Sequence, residues 1–138
     1  MNPIPENPAE AGMSSILIPL PGQVYRFDAT AVEIQTGKAI GPRWFVVVQT
    51  ARLAKNDRIL VALITGKENK PKRYPWQAEV SKADAGFLDK DSVVLCSDVF
   101  MFTKASFGNA SYVGQFSDIV CRRIAVGIRE GFLTDQFL

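Results

Sequence analysis

The chain has 138 residues, of which 47% are hydrophobic and 22% charged, and its formal net charge is +2. This composition predicts one compact domain and excludes a disordered or collagen-like chain, while no apolar run approaches the roughly 20 residues of a bilayer-spanning helix. Because the chain contains no histidine, any catalysis has to proceed without imidazole.

Residues 1–15 carry three prolines among polar and acidic residues, which predicts a flexible N-terminal tail before a single domain over residues 16–138. Short β-like runs separated by turn residues follow, and many short strands in a small domain predict a mainly β fold, a barrel or half-barrel. Two runs, 44–48 and 59–64, are almost wholly apolar and should be central strands buried on both faces. The predicted strands cover residues 23–28, 31–36, 44–49, 58–64, 75–80, 92–96, 99–103 and 112–116.

The last part of the chain changes its periodicity. Apolar residues recur there at steps of three and four, which predicts one amphipathic C-terminal helix. Ser117 or Asp118 can cap its start, and Gly131 lies where the helix is expected to end. The predicted apolar face consists of Ile119, Val120, Ile124, Ile128 and Phe132.

Two of the predicted strands carry polar residues at their ends. Arg43 opens the first central strand after Gly41-Pro42, and Thr65 ends the second central strand. If the two strands pair antiparallel, the start of one lies beside the end of the other, so the two side chains become neighbours. A guanidinium beside a hydroxyl can hold a phosphate or carboxylate, although each residue alone also fits an ordinary strand end.

A basic segment begins directly after Thr65. Its lysines, arginine and two aromatic residues are typical of a surface for single-stranded nucleic acid, where phosphates meet cations and bases stack on rings. The alternative is a loop that only solubilises the protein. The candidate nucleic-acid-binding residues, assigned to RNA through the family resemblance described below, are Lys67, Lys70, Lys72, Arg73, Tyr74 and Trp76.

An apolar strand bracketed by acids follows. Asp98 or Ser97, at its end, could reach the cleft beside Arg43, although an ordinary core strand with capped ends fits the same residues. The two cysteines, Cys96 and Cys121, are too few for a disulfide-rich scaffold or a zinc site and fit a reducing, cytoplasmic location. Cys96 lies in the apolar strand, so its thiol should be buried and inert.

Five segments, in chain order, resemble the MazF/PemK toxin family. They are residues 21–25 (PGQVY), 41–48 (GPRWFVVV), 60–65 (LVALIT), 90–95 (KDSVVL) and 113–118 (VGQFSD). The resemblance implies a small SH3-like β-barrel with a C-terminal α-helix, usually a homodimer, that cleaves single-stranded RNA without a metal or cofactor. It also implies a cognate antitoxin whose acidic, poorly structured end lies across the RNA groove.

The resemblance implies that Arg43 and Thr65 are the active-site pair. Arg43 would stabilise charge on the phosphate while the ribose 2′-hydroxyl attacks, and Thr65 would hydrogen-bond a non-bridging oxygen. Candidates for the base are Asp98 and Glu33. The chain departs from the family pattern at Trp44 and over residues 97–100, so two alternatives stay open: a non-catalytic SH3-like binding module, and a gyrase poison that acts through the C-terminal helix.

Overall fold

The structure is a computed structural model, and it describes residues 18–53 and 55–132; the predicted tail over residues 1–15 lies outside this range. Within the described residues, no helix is both long and apolar enough to cross a membrane. The strands and α-helices are β1 (Gln23–Phe27), α1 (Ala29–Thr36), β2 (Arg43–Val47), β3 (Arg58–Gly66), β4 (Gln77–Val80), β5 (Ser92–Thr103), β6 (Ser111–Gln115) and α2 (Asp118–Phe132).

The strands form one antiparallel sheet in the order β4-β5-β3-β2-β1-β6. The segment between β4 and β5 reaches the opposite edge of the sheet. There its Phe87 packs against Phe116, which directly follows β6, with ring centroids 5.5 Å apart. Gly114 of β6 makes room for this ring, since a Cβ at that position would overlap it. The result is a half-barrel, as the sequence predicts.

The central strands are buried on both faces, which confirms the prediction from their apolar runs. Phe45 and Val61 contribute to a core cluster on one face, which is rich in phenylalanine and includes Val32 of α1. Val46 and Ala62, the next residues along, contribute to the cluster on the other face, which α2 covers. Side chains alternate between the faces because the strand period is two residues.

The predicted strand over residues 31–36 is wrong: the segment belongs to helix α1. Asp28 caps this helix, because its carboxylate accepts a hydrogen bond from the Ala31 amide at 2.8 Å. Gly37 ends the helix at a φ of +76°, and its amide donates to the Glu33 carbonyl. Val32 is fully buried whereas Ile34 is 72% exposed, so the alternation that indicated a strand reflects one buried residue on a short helix.

The two strands predicted over residues 92–96 and 99–103 are one strand, β5. Leu95 pairs with Leu63, but Val99 pairs with the adjacent Ala62, so the intervening residues form a bulge. The polar Ser97 and Asp98 lie in this bulge, which is why the sequence reads as a break although the backbone continues in the sheet.

Helix α2 packs through part of the predicted apolar face, since Val120 and Ile124 are buried and Ile128 packs against the same core cluster. Its buried residues are Val120, Ile124 and Gly127, spaced four and three residues apart. Ile119 and Phe132, expected on the apolar face, are 61% and 50% exposed. The two glycines of the helix provide close approach: a Cβ at Gly127 would lie 2.6 Å from the Cys96 sulfur, and one at Gly131 would lie 3.0 Å from the Trp76 Cβ. Gly131 therefore does not end the helix, which continues to Phe132.

Candidate active site

A pocket of about 290 Å³ opens at the end of the central strands, where β2 begins and β3 ends. Trp44 pairs with Ile64 in the antiparallel register, so Arg43 and Thr65 come to the same edge on adjacent strands. The predicted proximity of these two residues is thereby confirmed. The pocket is lined by Pro42, Arg43, Trp44, Ile64, Thr65, Gly66, Asn69, Asp89, Lys90 and Ser92.

Arg43 is held at the mouth of this pocket by the turn that precedes it. Gly41 has a φ of +81°, a conformation that favours glycine, and the turn directs the chain into β2. One guanidinium nitrogen of Arg43 donates to the Pro42 carbonyl at 2.8 Å. Because a guanidinium carries five N–H donors in a planar fork, this bond leaves donors with which to bind an oxyanion.

Thr65 has a hydrogen-bonding partner, Asn69, that the sequence does not indicate. The Asn69 amide nitrogen donates to the Thr65 hydroxyl oxygen at 3.1 Å. Since that oxygen accepts from Asn69, the hydroxyl hydrogen is free to donate to a ligand in the pocket. An asparagine three residues beyond a strand end carries no sequence signal of its own, because only the tight turn after β3 brings it back to Thr65.

The turn that carries Asn69 is a short 3₁₀ helix over Lys67–Asn69. At its start the Lys67 amide donates to the Asp91 carbonyl at 3.0 Å. At its centre Glu68 forms an ion pair with Lys90, which lowers the pKa of the Glu68 carboxyl through a side-chain hydrogen bond. These two contacts tie the turn, and with it Asn69, to the segment before β5.

The basic segment after the turn is partly neutralised within the protein. Glu79 of β4 forms ion pairs with Arg73 at 2.6 Å and with Lys67 at 3.3 Å, and the hydrogen bond from Arg73, followed by that from Lys67, lowers the pKa of Glu79. Tyr74 and Trp76 stack face to face, with centroids 4.8 Å apart and ring planes inclined by 8°. The remaining cations of the predicted RNA surface, Lys70 and Lys72, form no ion pair within the described residues.

Residues 21–132 match the sequence profile of the family described as PemK-like, MazF-like toxin of type II toxin-antitoxin system. The chain belongs to this family. A search of curated protein sequences gave no match.

Solved structures share the fold of this PemK/MazF-like toxin. An endoribonuclease in complex with its cognate antitoxin, from a mycobacterial species, is similar with a TM-score of 0.62 and 16% identity over 82% of this chain and 93% of that one. A MazE-MazF structure from Deinococcus radiodurans gives 0.58 and 17% over 82% and 93%. Toxin MazF-mt6 of Mycobacterium tuberculosis gives 0.58 and 13% over 80% and 95%. At these identities the likeness shows the MazF-like fold.

The two acids considered as bases do not line the pocket of this PemK/MazF-like toxin. Asp98 lies in the β5 bulge next to Val99, which pairs with Ala62, three residues from Thr65 along β3. At about 3.3 Å per residue, this separation amounts to about 10 Å along the strand. Glu33 lies on α1, whose Gln35 accepts a hydrogen bond from the Thr103 amide at the far end of β5. The fold thus keeps both carboxylates away from Arg43 and Thr65.

The residues that depart from the family pattern lie in the pocket wall and against the hydrophobic core. Trp44 forms part of the pocket wall and packs against the core cluster under α2. Phe100 is half-buried and packs against Phe45 and Phe102 at the border of the phenylalanine-rich cluster. Cys96 is fully buried, and burial raises the pKa of its thiol to about 11, which makes it unreactive as expected.

Proposed function

We propose that this protein is the RNA-cleaving toxin of a type II toxin-antitoxin system, an endoribonuclease that cuts single-stranded RNA without requiring a metal ion. Two observations support the proposal: the chain belongs to the PemK/MazF-like toxin family, and Arg43 and Thr65 line one pocket. The second observation carries it, because a guanidinium and a free hydroxyl hydrogen at one site suit an oxyanion.

In the proposed reaction, the ribose 2′-hydroxyl attacks the adjacent phosphorus and the 5′-oxygen leaves. The products are a 2′,3′-cyclic phosphate and a free 5′-hydroxyl. Arg43 stabilises the charge that develops on the non-bridging oxygens, and Thr65 donates a hydrogen bond to one of them. A preorganised donor of this kind contributes about 3 kcal/mol to transition-state stabilisation. Arg43 acts electrostatically, because a guanidinium gives up a proton very reluctantly.

The basic segment is the proposed path of the RNA beyond the cut. It starts next to Thr65, so nucleotides that flank the scissile phosphate lie along it. Lys70 and Lys72 bind backbone phosphates, whereas the stacked Tyr74 and Trp76 offer a flat aromatic surface to a base. Lys67 and Arg73 contribute less to this binding, because both pair with Glu79.

The proposed partners follow from the same surface. A cognate antitoxin with an acidic segment would cover the pocket and the basic segment and thereby block RNA. Solved structures of the same fold include an endoribonuclease in complex with its cognate antitoxin. We propose that the toxin acts as a homodimer in the cytoplasm, where its two free cysteines stay reduced.

The test is RNA cleavage by the purified protein in excess chelator, with Arg43→Ala as the paired variant. We expect the wild type to cut a long single-stranded RNA under these conditions and the variant to leave it intact. Cleavage that stops in chelator would contradict metal independence. RNA left intact by the wild type would contradict the nuclease proposal, as would cutting by Arg43→Ala at the wild-type rate.

A further inference from the structure

The proposed reaction needs a group that accepts the 2′-hydroxyl proton. The chain has no histidine, so a carboxylate is the natural acceptor near neutral pH. A base must come within hydrogen-bond reach of the hydroxyl while the phosphate is held by Arg43 and Thr65. The proton acceptor should therefore be one of the residues that line the same pocket.

Among the residues that the structure describes, Asp89 is the one carboxylate that lines this pocket. Other acids near this edge are already engaged. Glu68 is paired with Lys90, and the Asp91 carboxylate accepts a hydrogen bond from the Lys82 amide at 2.8 Å. The Asp89 side chain is exposed and forms no ion pair within residues 18–53 and 55–132. Its oxygens are thus free to accept a proton.

The backbone around Asp89 is held on both sides. Leu88, immediately before it, is buried in the core at 2% exposure and its amide donates to the Ala85 carbonyl at 3.1 Å. Asp91, two residues after it, accepts from the Lys67 amide at 3.0 Å through its carbonyl. An exposed side chain on an anchored backbone segment suits a base, which has to be accessible to RNA and yet positioned.

The strand order sets Asp89 across the pocket from Arg43. At this edge of the sheet β3 lies between β2 and β5, and Ser92 at the start of β5 pairs with Gly66. Arg43 therefore approaches from the β2 side and the segment before Ser92 from the β5 side, with Thr65 between them. Two strand spacings amount to about 10 Å between the outer backbones, a gap in which a ribose and its 3′-phosphate can lie.

We propose that Asp89 is the general base of the reaction, an assignment that rests on the nuclease function proposed above. Its carboxylate takes the proton of the 2′-hydroxyl as the 2′-oxygen bonds to phosphorus. The bond between phosphorus and the 5′-oxygen then breaks, and the 5′-oxygen takes a proton from water. The proton that Asp89 later releases neutralises the resulting hydroxide, so no other reactant is consumed.

The experiment measures kcat and KM on a short single-stranded RNA that the wild type cuts once. Asp89→Asn should lower kcat by about 100-fold or more, the usual contribution of a positioned base. Its KM should stay equal or fall, because the substitution removes a negative charge that repels the phosphate. Asp89→Glu keeps a carboxylate and should retain more of kcat than Asp89→Asn. Asp98→Asn and Glu33→Gln are matched controls, and both should stay within about threefold of the wild type, as carboxylates outside the pocket have no proton to take.

Three results would overturn the assignment: a kcat for Asp89→Asn within threefold of the wild type, an equal loss in the Asp89→Asn and Asp89→Glu variants, or an equal loss in the two controls. Arg43→Ala, assayed in parallel, separates this failure from that of the proposed function. If cleavage depends on Arg43 but survives Asp89→Asn, only the assignment of the base is wrong. If no Arg43-dependent cleavage occurs, the proposed function itself is wrong.

Discussion

Two isoleucines of helix α2 provide a direct test of how the helix packs. Periodicity in the sequence assigns Ile119 and Ile124 to the same apolar face, whereas the structure leaves the first 61% exposed and the second 4% exposed. Replacing Ile124 by alanine removes about three buried carbon groups, at about 0.8 kcal/mol each. The cavity left behind adds to this cost, so we expect a loss of about 3 kcal/mol in the free energy of unfolding, within the usual range of about 2–5 kcal/mol for such changes.

Ile119→Ala is the matched control, because it makes the same chemical change on the same helix. Its exposed side chain loses little on truncation and alanine favours the helix, so the free energy of unfolding should change by at most about 0.5 kcal/mol. Urea unfolding followed by circular dichroism measures both variants, with an unchanged m-value as the check of two-state behaviour. We expect a melting temperature lower by about 10 °C for Ile124→Ala only. Equal losses in the two variants would refute the packing described for α2, and Ile124→Asp, which buries an unpaired charge, should unfold the domain.

Three further predictions concern the pocket and its surroundings. Asn69→Ala should lower kcat about fivefold in the wild type and not at all in Thr65→Val, because Asn69 acts through the Thr65 hydroxyl; equal effects in both backgrounds would contradict this role. Glu79→Gln should tighten RNA binding and steepen its salt dependence in filter-binding titrations, since it releases two cations; unchanged binding would show that these cations do not meet RNA. The hydrogen bonds to Glu79 lower its pKa in the folded state, so its stabilising contribution is present above its ordinary pKa of 4.5 and is lost as the pH falls through the lowered value. In the Glu79→Gln variant, the free energy of unfolding measured by urea titration should therefore fall less between about pH 5 and pH 3 than in the wild type. An unchanged dependence on acid would contradict the ion pairs.

Hydrophobic patterning was sufficient to predict the central part of the fold. The runs that became β2 and β3 are apolar at nearly every position because both faces of these strands pack against a core cluster. Their antiparallel pairing follows from the short connection between them, and it places Arg43 beside Thr65. The proximity of this pair was therefore predictable from strand ends alone.

Local patterning was insufficient where tertiary contacts decide the structure. Val32 and Ile34 alternate like strand residues, but the Asp28 cap and the left-handed Gly37 enclose a helix. Periodicity placed Val120 and Ile124 of α2 correctly but could not distinguish the exposed Ile119 from them. The close approach of the helix to Cys96 depends on Gly127, a residue without a side chain.

The sequence did not predict Asn69 and Asp89 as pocket residues either. Asn69 and Asp89 belong to separate connections, one after β3 and one before β5, and neither residue lies in a recognisable motif. The two connections meet because the Lys67 amide bonds to the Asp91 carbonyl and Glu68 pairs with Lys90. Asp98, predicted to reach the pocket from the end of an apolar strand, falls outside it because that strand continues and Asp98 lies in its bulge, three residues along β3 from Thr65.

The central claim is that Arg43 and Thr65 act together on one phosphate. A double-mutant cycle on kcat/KM for RNA cleavage, with Arg43→Ala, Thr65→Val and the combined variant, measures this directly. If both side chains stabilise the same transition state, the combined variant should lose far less than the product of the two single losses. Single losses that multiply fully in the combined variant, or single variants as active as the wild type, would contradict the account.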